Sequence, residues 1–92
     1  MKARLSSSVR KELQTIPGVG KVIAQDLYEL GFTSVDSLKN QDPERLYVLH
    51  NKRKGSVQDR CMLYVFRGAV YYANTLGKKQ NPEKLKWWNW KD

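Results

Sequence analysis

An all-α domain of five helices follows from three features of the 92-residue sequence. Apolar residues recur at steps of three and four through most of its length, the period of a helix with one buried face. Glycine and proline fall between those periodic stretches, at Pro17-Gly18, Gly31, Pro43, Gly55 and Gly77, where helices stop or start. The order helix, glycine turn, helix occurs twice, around Gly18 and around Gly55, with a short connector between. The length suits one core and not two, so residues 1–76 are expected to form the helical domain. Residues 77–92 are expected as a basic linker and Trp-rich segment packed on it.

The first helix is expected from about Ser7 to Thr15, because Leu5, Val9, Leu13 and Ile16 form one stripe and Arg10, Lys11 and Glu12 lie off it. Pro17 ends it, since the residue before a proline is pushed out of the helical region. A second helix takes Gly20 to Leu30, with Ile23, Ala24, Leu27 and Leu30 inward and Lys21, Gln25, Asp26 and Glu29 outward. Gly31 and Phe32 read as a left-handed cap with its hydrophobic contact. Thr33-Ser-Val-Asp36 has the spacing of a capping box and opens a short third helix, with Val35 and Leu38 inward and Asn40 as its stop.

Asp42-Pro43-Glu44 combines an N-cap aspartate, proline at the first helical position and an acid in the first turn. The fourth helix it starts reaches about His50 and buries Leu46 and Leu49. Asn51 to Gly55 is the second turn. Ser56-Val-Gln-Asp59 reads as another capping box, launching the longest helix to about Leu76. Its inward face is Val57, Cys61, Met62, Val65, Phe66, Ala69, Val70 and Ala73, and Arg60, Tyr64, Arg67, Tyr71 and Asn74 form a flanking stripe read as the rim of the core. Gly68 costs about 1 kcal/mol against alanine in mid-helix, which marks a close approach by another helix. Asn81 caps one more helical turn before Trp87-Trp-Asn-Trp90. At least one of those tryptophans is expected to be buried.

Lys and Arg number 17 against 9 Asp and Glu, a formal charge of +8 that suits polyanionic partners. The longest apolar run falls far short of the ~20 residues of a membrane span, and the N-terminus lacks a secretory pattern. Cys61 is the single cysteine, so no internal disulfide forms and a cytoplasmic protein is expected. His50 and Cys61 do not make the cluster of about four ligands that a zinc site needs.

Leu13-Gln-Thr-Ile-Pro-Gly-Val-Gly-Lys-Val-Ile-Ala24 reads as a helix-hairpin-helix. Gly18 and Gly20 permit a sharp turn and a close approach to the main chain. The leftover amides at the start of the second helix then suit an anion, and Lys21 stands beside them. Lys52, Arg53 and Lys54, before Gly55, make the second turn charge-led rather than amide-led.

Through Leu13, Ile16, Pro17-Gly-Val-Gly20 and Ala24 the chain resembles the tandem helix-hairpin-helix (SAM-like) fold. That resemblance implies DNA binding without base specificity, with amide donors at Gly18, Gly20 and Ile23. It also implies a monovalent cation, K+ or Na+, held by the carbonyls of Gln14, Ile16 and Val19. Over its whole length the chain is similar to the small bacterial pathogenicity locus family, related in naming to mitomycin-resistance proteins. The residues behind this are Ile16-Pro-Gly-Val-Gly20, Gly31-Phe-Thr-Ser-Val35, Asp59-Arg-Cys-Met-Leu-Tyr-Val-Phe-Arg67 through Tyr72-Ala73, and Leu85-Lys-Trp-Trp-Asn-Trp90.

The expected function is a sequence-independent contact with DNA, double-stranded or structured, in an accessory role in DNA repair or processing. The residues expected to carry it are Gly18, Val19, Gly20, Lys21, Ile23, Lys52, Arg53, Lys54, Gly55 and Ser56, with no small-molecule substrate and no catalysis. The alternative is a protein-interaction module that uses the Tyr/Trp surface. A lyase acting through Lys21 is a third class: base-excision glycosylases also carry a lysine soon after a helix-hairpin-helix, but they resemble this chain only over the hairpin, and the second, larger helical domain that holds their flipped base is not expected within 92 residues.

Overall fold

The computed structural model describes residues 7–91, and the regular elements among them are all helical. Four α-helices form, α1 Ser7–Leu13, α2 Lys21–Glu29, α3 Pro43–Lys54 and α4 Cys61–Asn74, together with three short 3-10 turns at Asp36–Leu38, Pro82–Leu85 and Trp87–Trp90. Leu5, first in the predicted stripe of α1, lies outside the described residues.

The caps legible in the sequence form as expected where a side chain or backbone group is adjacent. The Asp42 carboxylate accepts from the Glu44 amide at 3.0 Å and Pro43 opens α3. At the end of α2, the Gly31 amide donates to the Tyr28 carbonyl at 2.9 Å and the Phe32 amide to Leu27 at 3.0 Å, which is the paired closure of a Schellman motif.

Three boundaries differ from the sequence reading. The expected third helix is one 3-10 turn, Asp36–Leu38, in which the capping exchange belongs to Ser34 and Ser37 instead of Thr33 and Asp36. Asn40, with φ of 62°, stops it as expected. The next helix, α3, continues through Lys54 to a left-handed Gly55 with φ of 76°, so Lys52, Arg53 and Lys54 are helical and not part of a turn. Ser56 launches no helix. α4 starts at Cys61, and Asp59 takes over its N-terminus by accepting from the Cys61 amide at 2.9 Å.

These shifts move side chains between core and surface. Val57 is 83% exposed and Leu49 37% exposed, whereas Tyr47 and His50 are buried on α3 beside Leu46. The period of α3 allows this, because positions 46, 47 and 50 share a face and 49 lies off it. The hydroxyl of Tyr47 donates to the Gln58 carbonyl at 2.5 Å and the Asn51 side chain accepts from the Gln58 amide at 2.8 Å, so the α3–α4 loop is fastened by polar groups. Leu63 is fully buried although it lies outside the expected inward face of α4, and Cys61 and Met62 are only half-buried.

α4 is the central element. It packs against α3, the turn at Asp36–Leu38 and both C-terminal turns, while α1 packs on α2. The largest fully buried side chains are Phe66, Leu13, Ile16, Leu27, Leu38, Leu46 and Leu63. Each contributes about 1.5–3 kcal/mol by leaving water, against about 0–1 kcal/mol for a surface ion pair. Apolar burial therefore holds the fold, and the ion pairs described below set where charged groups sit.

Candidate nucleic-acid interface

The turn between α1 and α2 is built inward first. Leu13, Ile16 and Val19 bury their side chains in the core, and the Val19 amide closes onto the Ile16 carbonyl at 3.0 Å. Gly18 takes φ of +84°, a region costly for any residue with a β-carbon. Gly20 behaves differently. It caps α2 with φ of −94°, which suits any residue, and a β-carbon there would meet nothing within 4 Å. The fold demands glycine at 18 and only leaves the main chain open at 20.

Among the described residues, the amides of Gly18, Gly20 and Ile23 have no acceptor, and α2 has no side-chain N-cap. Lys21 and Val22 beside them are exposed. Of the three carbonyls implied as cation ligands, those of Gln14 and Val19 accept no hydrogen bond among the described residues, and that of Ile16 accepts from Val19. Such oxygens suit a hard monovalent cation in donor type. No group of three or more His, Cys, Asp or Glu side chains fit to hold a metal occurs among the described residues.

The basic residues at the end of α3 are committed differently from the sequence reading. Lys54 pairs with Asp26 at 3.2 Å and Arg53 with Glu29 at 3.6 Å. Both acids lie on α2 and were expected to face outward, but Asp26 is only 7% exposed. The two ion pairs thus join α2 to the end of α3. Lys21 and Lys54 line one concavity of about 690 Å³ with Arg10, Val22, Gln25, Asp26 and Glu29. Lys52 and Arg53 line an adjoining one with Glu29, Leu30 and Leu49. The structure therefore gathers Lys21, Lys52, Arg53 and Lys54 along neighbouring hollows. Gly55 and Ser56 are exposed beyond the end of α3, and the Gln58 side chain folds back onto the Ser56 hydroxyl at 3.1 Å.

Under this surface His50 is 3% exposed, its ring edge-on to Phe66 with centroids 5.7 Å apart. Burial pushes the imidazole below its ordinary value of 6.5, the Asp26 carboxylate opposes that, Lys54 adds to it and Glu29 opposes it. Cys61 is chemically quiet. Its hydrogen bond with Asp59 pushes the thiol above 9.0, so the sulfur stays protonated at neutral pH and is a poor nucleophile.

The last C-terminal turn reaches both the Gly18 turn and α4. Trp87 lies against Gly18, where a β-carbon would stand 2.9 Å from the indole Cδ1. Trp90 covers Gly68, whose β-carbon would meet its ring at 3.6 Å, so the close approach expected at Gly68 is made by the tryptophan turn and not by a full helix. Arg67 donates to the Trp90 carbonyl at 2.7 Å and to Glu44 at 2.7 Å. The Tyr71 hydroxyl accepts from the Asn81 amide at 2.8 Å, and the flanking stripe is thus the seat of the tail. No tryptophan is fully buried. Trp87 and Trp90 are half-buried and Trp88 is 50% exposed. The contact of Trp87 with Gly18 carried no signal in the sequence, because the two positions are far apart in the chain.

These features define a small all-α protein with basic groups gathered beside a glycine turn. The chain belongs to the pathogenicity locus family, Cdd1, which it matches over residues 6–92. It is similar to the mitomycin resistance protein McrB of Streptomyces lavendulae, with 28% identity over 86 residues that cover 94% of this chain and 76% of the relative. No solved structure matches it.

Proposed function

We propose that the chain is a tandem helix-hairpin-helix module that holds DNA by its backbone without reading bases, in an accessory role in DNA repair or processing. Its two units are α1 with α2 around Gly18, and α3 with α4 around Gly55. Phosphates meet the amides of Gly18, Gly20 and Ile23 and the side chains of Lys21 and Lys52, a division of labour that positions nucleic acid without specifying sequence. The observation that carries the reading is Gly20. Neither its backbone angles nor its neighbours require glycine, and an unobstructed main chain beside free amides is what a phosphate needs. Arg53 and Lys54 act as a reserve, since a phosphate must compete with Glu29 and Asp26 for them. The alternative of a protein-interaction surface has less to stand on, because Trp87 and Trp90 pack on the chain itself and Trp88 alone of the three is exposed.

A salt titration of binding to duplex, single-stranded and junction DNA tests this. Affinity is expected to fall linearly in log salt, and Lys21→Glu to weaken binding and reduce that slope by about 1. No binding to any of the three at low salt removes the proposal.

A further inference from the structure

Trp88 is the most exposed of the three tryptophans. Trp87 packs on Gly18 and Trp90 on Gly68, yet Trp88 between them keeps half its surface in water. Its ring is nevertheless held in place. It stands edge-to-face with Trp87, centroids 5.7 Å apart and planes at 88°. The segment is fastened just beyond it, by Asn89 donating to the Glu83 carbonyl at 2.7 Å and by Trp90 Nε1 donating to the Lys84 carbonyl at 2.7 Å. Trp88 therefore touches the ring that touches the Gly18 turn.

A fixed, exposed indole beside a phosphate-binding turn has the composition of a single-strand site. The backbone is tracked by charge and amides while an unpaired base stacks on the aromatic face, which every base can do. A fully paired duplex keeps its bases stacked on one another and gains nothing from such a ring. We propose that Trp88 is a stacking platform for an unpaired base, so that the preferred ligand is DNA with a single-stranded segment. This rests on the phosphate-binding reading of the Gly18 turn and narrows it.

The test compares wild type, Trp88→Ala and Trp88→Phe, each shown folded by circular dichroism, in binding to an oligothymidylate strand and to a blunt duplex of equal length. Trp88→Ala is expected to lose about tenfold or more on the single strand and to leave duplex binding unchanged. Trp88→Phe, which keeps a flat ring, should retain most of the affinity. Equal losses on both ligands, or no loss on either, overturn the stacking role while leaving backbone binding intact. Failure of the wild type to bind either ligand overturns the backbone reading and this one with it.

Discussion

Gly18 and Gly20 sit two positions apart in one turn and are glycine for different reasons. At Gly18 the left-handed backbone and the Trp87 ring both exclude a side chain. Gly18→Ala is therefore expected to lose about 1–2 kcal/mol of stability from backbone strain and to displace Trp87, seen as a red shift of indole fluorescence. Gly20→Ala meets neither obstacle. Its stability should stay within about 1 kcal/mol of wild type, the scale of an N-cap preference, while DNA affinity falls. Equal unfolding midpoints for the two variants would show that the turn does not distinguish them. His50 makes a second residue-scale prediction. Its folded value lies below 6.5, so as pH falls through that value the unfolded chain takes up a proton that the folded chain refuses. Stability is thus complete above that window and declines as pH drops into it. Urea midpoints at about pH 7.5 and 5.5 should differ for wild type, and His50→Leu should reduce the difference.

Elements begin and end where polar groups find partners, and that is why their boundaries were unevenly legible. Asp42, Pro43 and Gly31 act on neighbours one to four residues away, so their roles could be read from the sequence. The start of α4 could not, because Gln58 is tied to Asn51 and Tyr47, and those bonds hold the loop in place until Asp59 caps the helix. In the same way the Arg67 and Tyr71 stripe has helical period, but only the packed tail shows what covers it. Gly68 tests that seat. Its β-carbon would make ordinary contacts at 3.6–3.8 Å, so Gly68→Ala should be neutral or gain up to about 1 kcal/mol from helix propensity. Gly68→Leu should lift the tryptophan turn and lower the melting temperature. A tolerated leucine with unchanged tryptophan fluorescence would mean that the tail is not seated there.

At the scale of the whole molecule, stability and binding draw on different forces. The core is mostly apolar, with Asp26 and His50 also buried, and each described ion pair keeps at least one partner exposed, so added salt should leave the unfolding midpoint nearly unchanged. The same salt should erode DNA affinity at the proposed interface, since each phosphate that a lysine neutralises releases counterions. A midpoint that fell with salt as fast as affinity would place the charges in the fold and not in the interface. At the end of α3 the positive charge is tempered locally, because Asp26 and Glu29 hold Lys54 and Arg53, which leaves Lys21 and Lys52 as the less encumbered cations of the candidate site.

The all-α class, the turn at Gly18, the caps at Asp42 and Gly31 and most of the core could be read along the chain. Each of these depends on residues a few positions apart, or on apolar spacing along one helix. That Asp26 faces α3 and that Trp87 rests on Gly18 came from the packing of the elements alone. Those facts join residues distant in the chain, and no local preference of angle, cap or hydrophobic period encodes which of them meet.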